Sequence, residues 1–249
     1  MFPLYDDNPT LDTAIVTHAL VALNVAAWFL LQGAGSEPAL TASVCNLGLI
    51  PGELLGLVRD GLQVPIGPDA FCEMHSSAAN WLSPLSSMFL HGGWFHLLGN
   101  MWFLWVFGNN VEDAMGHTRF VAFYVLCGLA AALAQTMSNP ASAVPMVGAS
   151  GAIGGVMGAY AVLYPKARVE MLIVLGIFMT RATVPAMVVL GYWFVLQILG
   201  GIPSLEAEGG GIAFWAHLGG FAAGVVLSFV FRDPVRVAAH HRATGGRMS

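Results

Sequence analysis

Six long apolar stretches constrain the fold of this chain more than any other feature of its sequence. They run over about 13–32, 93–111, 118–137, 149–164, 182–199 and 213–231. Each is near the roughly 20 residues needed to cross a bilayer, although the fourth is short. Only 9% of the 249 residues are charged, against about 25% in a soluble domain. We therefore predict an all-α membrane protein whose six transmembrane helices form one bundle and one domain over 1–249.

The positions of the basic residues indicate which side of the membrane each loop faces, because cytoplasmic loops are enriched in Lys and Arg. Eight of the nine basic residues lie in segments that six spans place on one face: Arg119, Lys166, Arg168, Arg181, Arg232, Arg236, Arg242 and Arg247. The ninth, Arg59, lies in the long loop 33–92. We expect that loop outside, a core over about 12–232, and a cytosolic tail over 233–249, so that both termini are cytosolic.

The chain ends and the charge pattern also bear on location and partners. Residues 1–11 lack the basic region of a cleavable signal peptide, and we expect a multi-pass protein of the plasma or inner cell membrane. No basic cluster precedes the C-terminal tail, so we expect the lipid bilayer and not nucleic acid as a partner. His240 and His241 are interpreted as residues of a solvated, disordered tail.

Two further segments allow only general expectations. The stretch 171–181 is apolar but ends in Arg181, which indicates an interfacial segment or a lead-in to the fifth span. Cys45, Cys72 and Cys127 show no metal-ligand spacing, and we interpret all three as packing residues without a metal. A Cys45–Cys72 disulfide remains an alternative if the loop that holds both faces an oxidising compartment.

Polar residues on three different spans are predicted to lie at a similar depth. With a helical rise of 1.5 Å per residue, Ser150 lies about 24 Å above the cytosolic boundary, His217 about 22 Å and His96 about 24 Å. Asn100 lies about 18 Å above it. Because polar side chains at membrane depth are costly, their coincidence indicates a functional site towards the outer face.

Glycine spacing predicts which spans touch. Gly151 and Gly155 are four residues apart on the fourth span, and Gly220 and Gly224 repeat that spacing on the sixth. Small residues at this interval allow helix backbones to approach closely. Contact between these spans would bring the Ser150 hydroxyl to the His217 imidazole, although packing alone also explains such glycines.

The chemistry available at this depth is narrow. A serine nucleophile needs a base, and the single lysine, Lys166, lies about 24 Å away along the same helix. No Asp or Glu lies at the depth of His217, so we expect packing rather than a carboxylate to orient this imidazole. The fifth span carries no predicted catalytic group and is therefore the expected gate; Gln197 lies near its outer end without an assigned role.

Three motifs resemble those of the rhomboid intramembrane serine proteases. They are the segment Phe89-Leu90-His91-Gly92-Gly93-Trp94-Phe95-His96-Leu97-Leu98-Gly99-Asn100, then Gly148-Ala149-Ser150-Gly151, and then Ala216-His217-Leu218-Gly219-Gly220 with Gly224. The resemblance runs from about 89 to 231 in the order of the family. Some family members have a Tyr that stacks on the catalytic histidine four residues after the nucleophile, where this chain has Gly154.

The resemblance implies roles for individual residues. Ser150 would be the nucleophile and His217 the general base, while His96, Asn100 and the Ser150 backbone N–H would form the oxyanion hole. The motif residues that would support the site are His91, a structural residue at the outer end of the second span, and Gly148, Gly151 and Gly220.

The activity that this resemblance implies is cofactor-independent endopeptidase cleavage of transmembrane helices near the outer leaflet. Its partners would be transmembrane protein substrates. The alternative is a catalytically silent relative that binds membrane clients, but the presence of both Ser150 and His217 argues against it. A transporter or channel is also disfavoured, because the sequence shows no internal repeat.

Overall fold

Apolar helices corresponding to the six predicted stretches dominate the chain. The computed structural model describes residues 2–67, 69–75, 80–175, 178–204 and 213–245. In chain order the helices are α1 (Ile15–Leu30), α2 (Ala39–Leu47), α3 (Pro51–Leu54), α4 (Ser83–Ser86), α5 (Trp94–Met115), α6 (His117–Ser138), α7 (Ser150–Leu163), α8 (Ala186–Ser204), α9 (Phe214–Phe231) and α10 (Pro234–Thr244). The strands are β1 (Phe2–Asp6), β2 (Gln63–Gly67), β3 (Ala70–Glu73), β4 (Arg168–Leu175) and β5 (Phe178–Pro185).

The six apolar helices differ in length. Within the described part of the chain, α6 and α9 are both long and apolar enough to cross a membrane, whereas α1, α7 and Ala186–Leu199 of α8 are apolar but shorter. The helix α5 has 22 residues and ends in a buried polar stretch that includes Glu112 and Asp113. The chain is therefore mainly helical, as predicted, but it also contains strands that the all-α prediction did not include.

The central helix is α7, which is buried along nearly its whole length. It packs against α5, α6 and α9. A Cβ placed on Gly151 would lie 2.5 Å from the Ala131 Cβ of α6, and one on Gly155 would lie 2.4 Å from the Cys127 Cβ. Glycine is therefore required for the approach of α6, and Cys127 is a free, buried packing residue as the sequence predicts.

The contact between α7 and α9 is closer still. A Cβ on Gly220 would lie 1.9 Å from the carbonyl oxygen of Gly151, and one on Gly224 would lie 1.9 Å from that of Gly155. Real side chains cannot occupy those positions without moving a backbone. The four-residue glycine spacing on both helices thus builds the contact that the sequence predicts.

A three-stranded antiparallel sheet in the order β1-β4-β5 connects the N-terminus to the segment between α7 and α8. Strands β4 and β5 pair from Arg168 with Pro185 to Leu175 with Phe178. The segment 171–181 is therefore part of a strand pair and not a lead-in to the fifth span, whose helix begins at Ala186, while its interfacial position stays a prediction. Branched residues such as Val169 and Val184 favour strands, and the second edge of β4 is covered by β1.

The tail beyond α9 is a folded helix in its described part, which corrects the prediction of a disordered segment. Asp233 caps α10 by accepting a hydrogen bond from the Val235 N–H at 2.9 Å. His240 is buried, and its Nε2 lies 2.7 Å from the Asn8 Oδ1. Burial against the N-terminal segment thus orders the tail, while Arg247 lies outside the described residues.

The long loop 33–92 contains a disulfide and a β-hairpin. Strands β2 and β3 pair antiparallel, and Cys72 of β3 is bonded to Cys45 of α2 with Cα atoms 5.4 Å apart. The packing interpretation is therefore wrong for these two cysteines, and the alternative applies. The hairpin brings Cys72 beside α2, a proximity that a separation of 27 residues does not reveal in the sequence.

The N-terminal end of α1 is held by acidic residues from the end of α5. Glu112 accepts hydrogen bonds from the backbone N–H groups of Val16 at 2.8 Å and Thr17 at 2.7 Å. Asp113 accepts from the backbone N–H of Leu11 at 3.0 Å. Glu112 thus satisfies N–H groups that the first turn of a helix leaves unpaired, and Asp113 holds the segment just before α1, so both residues anchor α1 against the site-bearing helix α5.

Candidate active site

Ser150 and His217 are in direct contact at the N-terminal ends of α7 and α9. The Ser150 Oγ lies 2.7 Å from the His217 Nε2, across 67 residues of sequence. Ser150 is the first residue of α7, and His217 lies in the first turn of α9. The glycine contacts between these two helices bring the hydroxyl and the imidazole together.

The turn before Ser150 depends on a glycine. Gly148 has a φ of 132°, a backbone conformation that side chains rarely allow. A Cβ at this position would lie 2.8 Å from both the Cε1 and the Nε2 of His96. The Gly148 N–H donates to the carbonyl of Ser87 at 2.9 Å. Gly148 therefore lets the turn that presents Ser150 lie directly against the His96 ring.

His96 and Asn100 lie one turn apart on α5 and face the same cavity as the Ser–His pair. The backbone N–H of Gly92 donates to the His96 Nδ1 at 3.3 Å, so a neutral ring carries its proton on Nε2, the nitrogen nearest Gly148. The Asn100 Nδ2 donates to the His96 carbonyl at 3.0 Å. The same NH₂ group carries a second hydrogen that can donate to another acceptor. Both side chains are thus hydrogen-bond donors beside Ser150.

The cavity that joins these groups has a volume of about 730 Å³. His96, Asn100, Ser150 and His217 line it together with apolar residues. The apolar part of the lining includes Phe95, Phe103, Met146, Val147, Ile153, Met157 and Trp193. A cavity with mostly apolar walls and a few converging polar groups is the usual form of a binding site.

His91 lies outside this cavity and next to its wall. It is fully buried, and its ring contacts the His96 ring edge-on with centroids 5.2 Å apart. Its backbone N–H donates to the Gln32 Oε1 at 2.8 Å, and its carbonyl accepts from the Gln32 Nε2 at 2.7 Å. This paired contact ties the loop before α5 to the segment after α1.

Gln197 of α8 is a contact of the site that sequence reasoning missed. Its Oε1 lies 2.6 Å from the His217 Nδ1, and its side chain is only 8% exposed. The fifth span, which is predicted to carry no catalytic group, therefore supplies a direct partner of His217. One available signal was the amide itself, because an isolated amide in an apolar stretch is costly unless it has a partner.

An aromatic residue of α8 also lies beside His217, near the position where some family members have a Tyr and this chain has Gly154. A Cβ on Gly154 would lie 3.0 Å from the His217 carbonyl oxygen and 3.5 Å from the Trp193 ring. The Trp193 and His217 rings lie with centroids 5.8 Å apart. Trp193 of the neighbouring helix thus lies next to both position 154 and the His217 ring.

The described part of the chain contains no cluster of side chains suited to bind a metal ion. No group of three or more His, Cys, Asp or Glu side chains among those residues could hold a metal ion. The two nitrogens of the His217 ring contact an amide oxygen and a hydroxyl. The arrangement can therefore abstract a proton from Ser150 and stabilise a developing oxyanion with neutral donors.

Comparison with known proteins identifies one family. The Rhomboid domain model matches residues 78–234, more than half of the chain, and this range includes every candidate residue from α5, α7 and α9. RHOMBOID-like protein 5 of Arabidopsis thaliana is 33% identical over 147 residues, which cover 59% of this chain and 42% of that protein. Rhomboid protein 1, mitochondrial, of Saccharomyces cerevisiae is 29% identical over 167 residues, which cover 65% and 45%.

A third relative matches a shorter segment of this chain. The presenilin-associated rhomboid-like protein, mitochondrial, of Mus musculus is 32% identical over 90 residues, which cover 35% of this chain and 24% of that protein. The matched segments span less than half the length of these three relatives. Two of the three relatives are named as mitochondrial proteins. The comparisons therefore support a membrane protein of this family, but they do not support the predicted location in the plasma or inner cell membrane.

Proposed function

This chain belongs to the rhomboid family, and from that premise we propose that it is an intramembrane serine endopeptidase that cleaves transmembrane helices of other proteins. The observation that carries the proposal is the 2.7 Å contact between the Ser150 Oγ and the His217 Nε2. This contact lies in the cavity that also contains His96 and Asn100. A nucleophile, a base and two donors are the parts that acyl transfer needs.

Each group has a defined task in the proposed reaction. The His217 Nε2 takes the proton of Ser150 as the Oγ attacks a substrate carbonyl, and the carbonyl oxygen becomes an oxyanion. The His96 Nε2–H, the Asn100 amide and the Ser150 backbone N–H donate to that oxyanion, and one such donor contributes about 3–4 kcal/mol. His217 then protonates the leaving amine, and water hydrolyses the acyl-enzyme through the same base.

The proposed membrane position sets the class of substrate. We propose that α1, α5, α6, α7, α8 and α9 cross the bilayer as a single domain with both chain ends in the cytosol, since most basic residues lie at that face. Ser150 is then near the outer leaflet. A substrate helix must unwind locally there, because its carbonyl groups are already hydrogen-bonded. Small or helix-breaking residues near the outer end of the substrate helix favour that unwinding.

The proposal is tested with a fluorophosphonate probe and a model transmembrane substrate. The purified protein in detergent is treated alongside Ser150→Ala and His217→Ala, and labelling and cleavage are followed together. Labelling and cleavage that are lost in both variants support the dyad. Labelling that persists in Ser150→Ala contradicts it, and a folded protein that neither labels nor cleaves supports the client-binding alternative.

A further inference from the structure

We propose that Gln197 is a positioning residue of the active centre, holding His217 in the tautomer that accepts the Ser150 proton. The inference rests on the proposed peptidase function and adds a third member to the dyad. It assigns this member to α8, the helix that sequence reasoning treated only as a gate.

The hydrogen bonds of the His217 ring define the tautomer. Its Nε2 lies 2.7 Å from the Ser150 Oγ and can accept the hydroxyl proton only if it carries none itself. The neutral ring then has its proton on Nδ1, which lies 2.6 Å from the Gln197 Oε1. An amide oxygen only accepts hydrogen bonds, so this partner favours the productive tautomer over the one with Nε2 protonated.

An amide suits this depth better than a carboxylate. The Gln197 side chain is buried, and a buried charge without a full set of partners is far more costly than a buried amide with one good hydrogen bond. A carboxylate in the equivalent place of a serine triad orients the imidazole and stabilises its charged form. Gln197 supplies the first of these effects without the cost of a second charge.

Both orienting contacts of His217 come from α8. Trp193 lies one turn before Gln197, and its ring is 5.8 Å from the His217 ring between centroids. In the same turn of α8, Phe194 packs against Phe221 of α9, and the centroids of the two rings are 4.7 Å apart. The opposite side of α8 presents exposed apolar residues such as Val195. A displacement of α8 from α9 would therefore remove the hydrogen bond and the ring contact together.

The test compares three substitutions in the full chain. Gln197→Met keeps the side-chain length without an acceptor, Gln197→Glu keeps an acceptor oxygen, and Leu196→Met is the matched control at an exposed neighbour. We expect Gln197→Met to lower kcat and the labelling rate of Ser150 on the order of 10²-fold, since a misplaced catalytic group costs about that much. KM should stay unchanged, Gln197→Glu should restore part of the loss, and Leu196→Met should behave as wild type.

A spectroscopic readout separates positioning from a structural role. In protein with ¹⁵N-labelled histidine, the His217 signals, assigned with His217→Ala, should show the Nδ1–H tautomer in wild type and lose it in Gln197→Met. A thermal unfolding midpoint close to wild type shows that Gln197→Met is folded. If Gln197→Met keeps the wild-type kcat and tautomer while wild-type labelling depends on Ser150, the inference is overturned and the peptidase function stands. If wild type is neither labelled nor active, the proposed function itself fails.

Discussion

Gly220 of α9 lies so close to Gly151 of α7 that a Cβ at position 220 would be 1.9 Å from the Gly151 carbonyl oxygen. The residue before Gly151 is the candidate nucleophile, and the candidate base lies three residues before Gly220. This backbone contact therefore sets the distance between Ser150 and His217, and its integrity is inseparable from the geometry of the dyad.

Replacing Gly220 by Ala should force α7 and α9 apart. Overpacking of this kind costs about 1–3 kcal/mol, and a displacement of 1 Å at reacting groups costs about 10²-fold in rate. We expect kcat for a transmembrane substrate to fall at least that far and the unfolding midpoint to drop. Gly191→Ala is the control, because a Cβ there meets nothing within 4 Å. Equal activity of the two variants would contradict the role of the contact.

Removal of the His96 side chain should act on the transition state. The ring lies against Gly148, and its Nδ1 is occupied by the Gly92 N–H, which leaves Nε2–H as the donor beside Ser150. His96→Ala should lower kcat by about 10²- to 10³-fold, the usual loss of one oxyanion donor. The matched control is His18→Ala, since His18 packs on Trp105 of α5 and does not line the cavity. A loss under about tenfold would exclude His96 from the oxyanion hole.

The disulfide between Cys45 and Cys72 should stabilise the loop 33–92. The two cysteines are 27 residues apart, and closing a loop of that size in the unfolded chain is worth about 3.5 kcal/mol in the chain-entropy account. Reduction with dithiothreitol should therefore lower the midpoint of thermal unfolding. The double variant Cys45→Ser/Cys72→Ser should show the lower midpoint without reductant and no further change with it. An unchanged midpoint in that variant would show that the bond does not contribute.

Asp6 should make the stability of the three-stranded sheet depend on pH. Burial raises the pKa of this carboxyl from 3.8 to about 7, although the Tyr160 hydroxyl donates to it. The folded state therefore binds the proton more tightly than the unfolded state. The resulting stability is complete below about pH 4 and is lost as the pH rises through about 7.

The measurement for Asp6 is the unfolding midpoint between pH 4 and pH 8. We expect the midpoint of wild type to fall more steeply over this range than that of Asp6→Asn, which carries no titrating group at this position. Asp69→Asn, at an exposed position between β2 and β3, should follow wild type. Parallel curves for wild type and Asp6→Asn would rule out a proton linked to folding at this site.

Much of the helical architecture and the candidate site could be predicted from the sequence. The stretches ending near 137 and 231 match α6 and α9 within a residue or two, because apolar length is a local property of the chain. The predicted similar depth and the four-residue glycine spacing correctly predicted the contact between Ser150 and His217, since both arguments follow from regular helix geometry. The strand pair β4–β5 escaped prediction, because an apolar, branched segment of that length is compatible with a strand or a helix until its partners are known.

What the sequence alone determined is therefore the set of apolar helices and the contact of α7 with α9 that brings Ser150 to His217. The tertiary structure alone decided three further features: the Cys45–Cys72 bond, the burial of His240 and the contact of Gln197 with His217. Each joins residues from separate elements, and side-chain partners across helices depend on packing directions that no local pattern encodes. Gln197 illustrates the reason. In the sequence it is an isolated amide in an apolar stretch with no visible partner, and it becomes the partner of His217 only because α8 packs against α9.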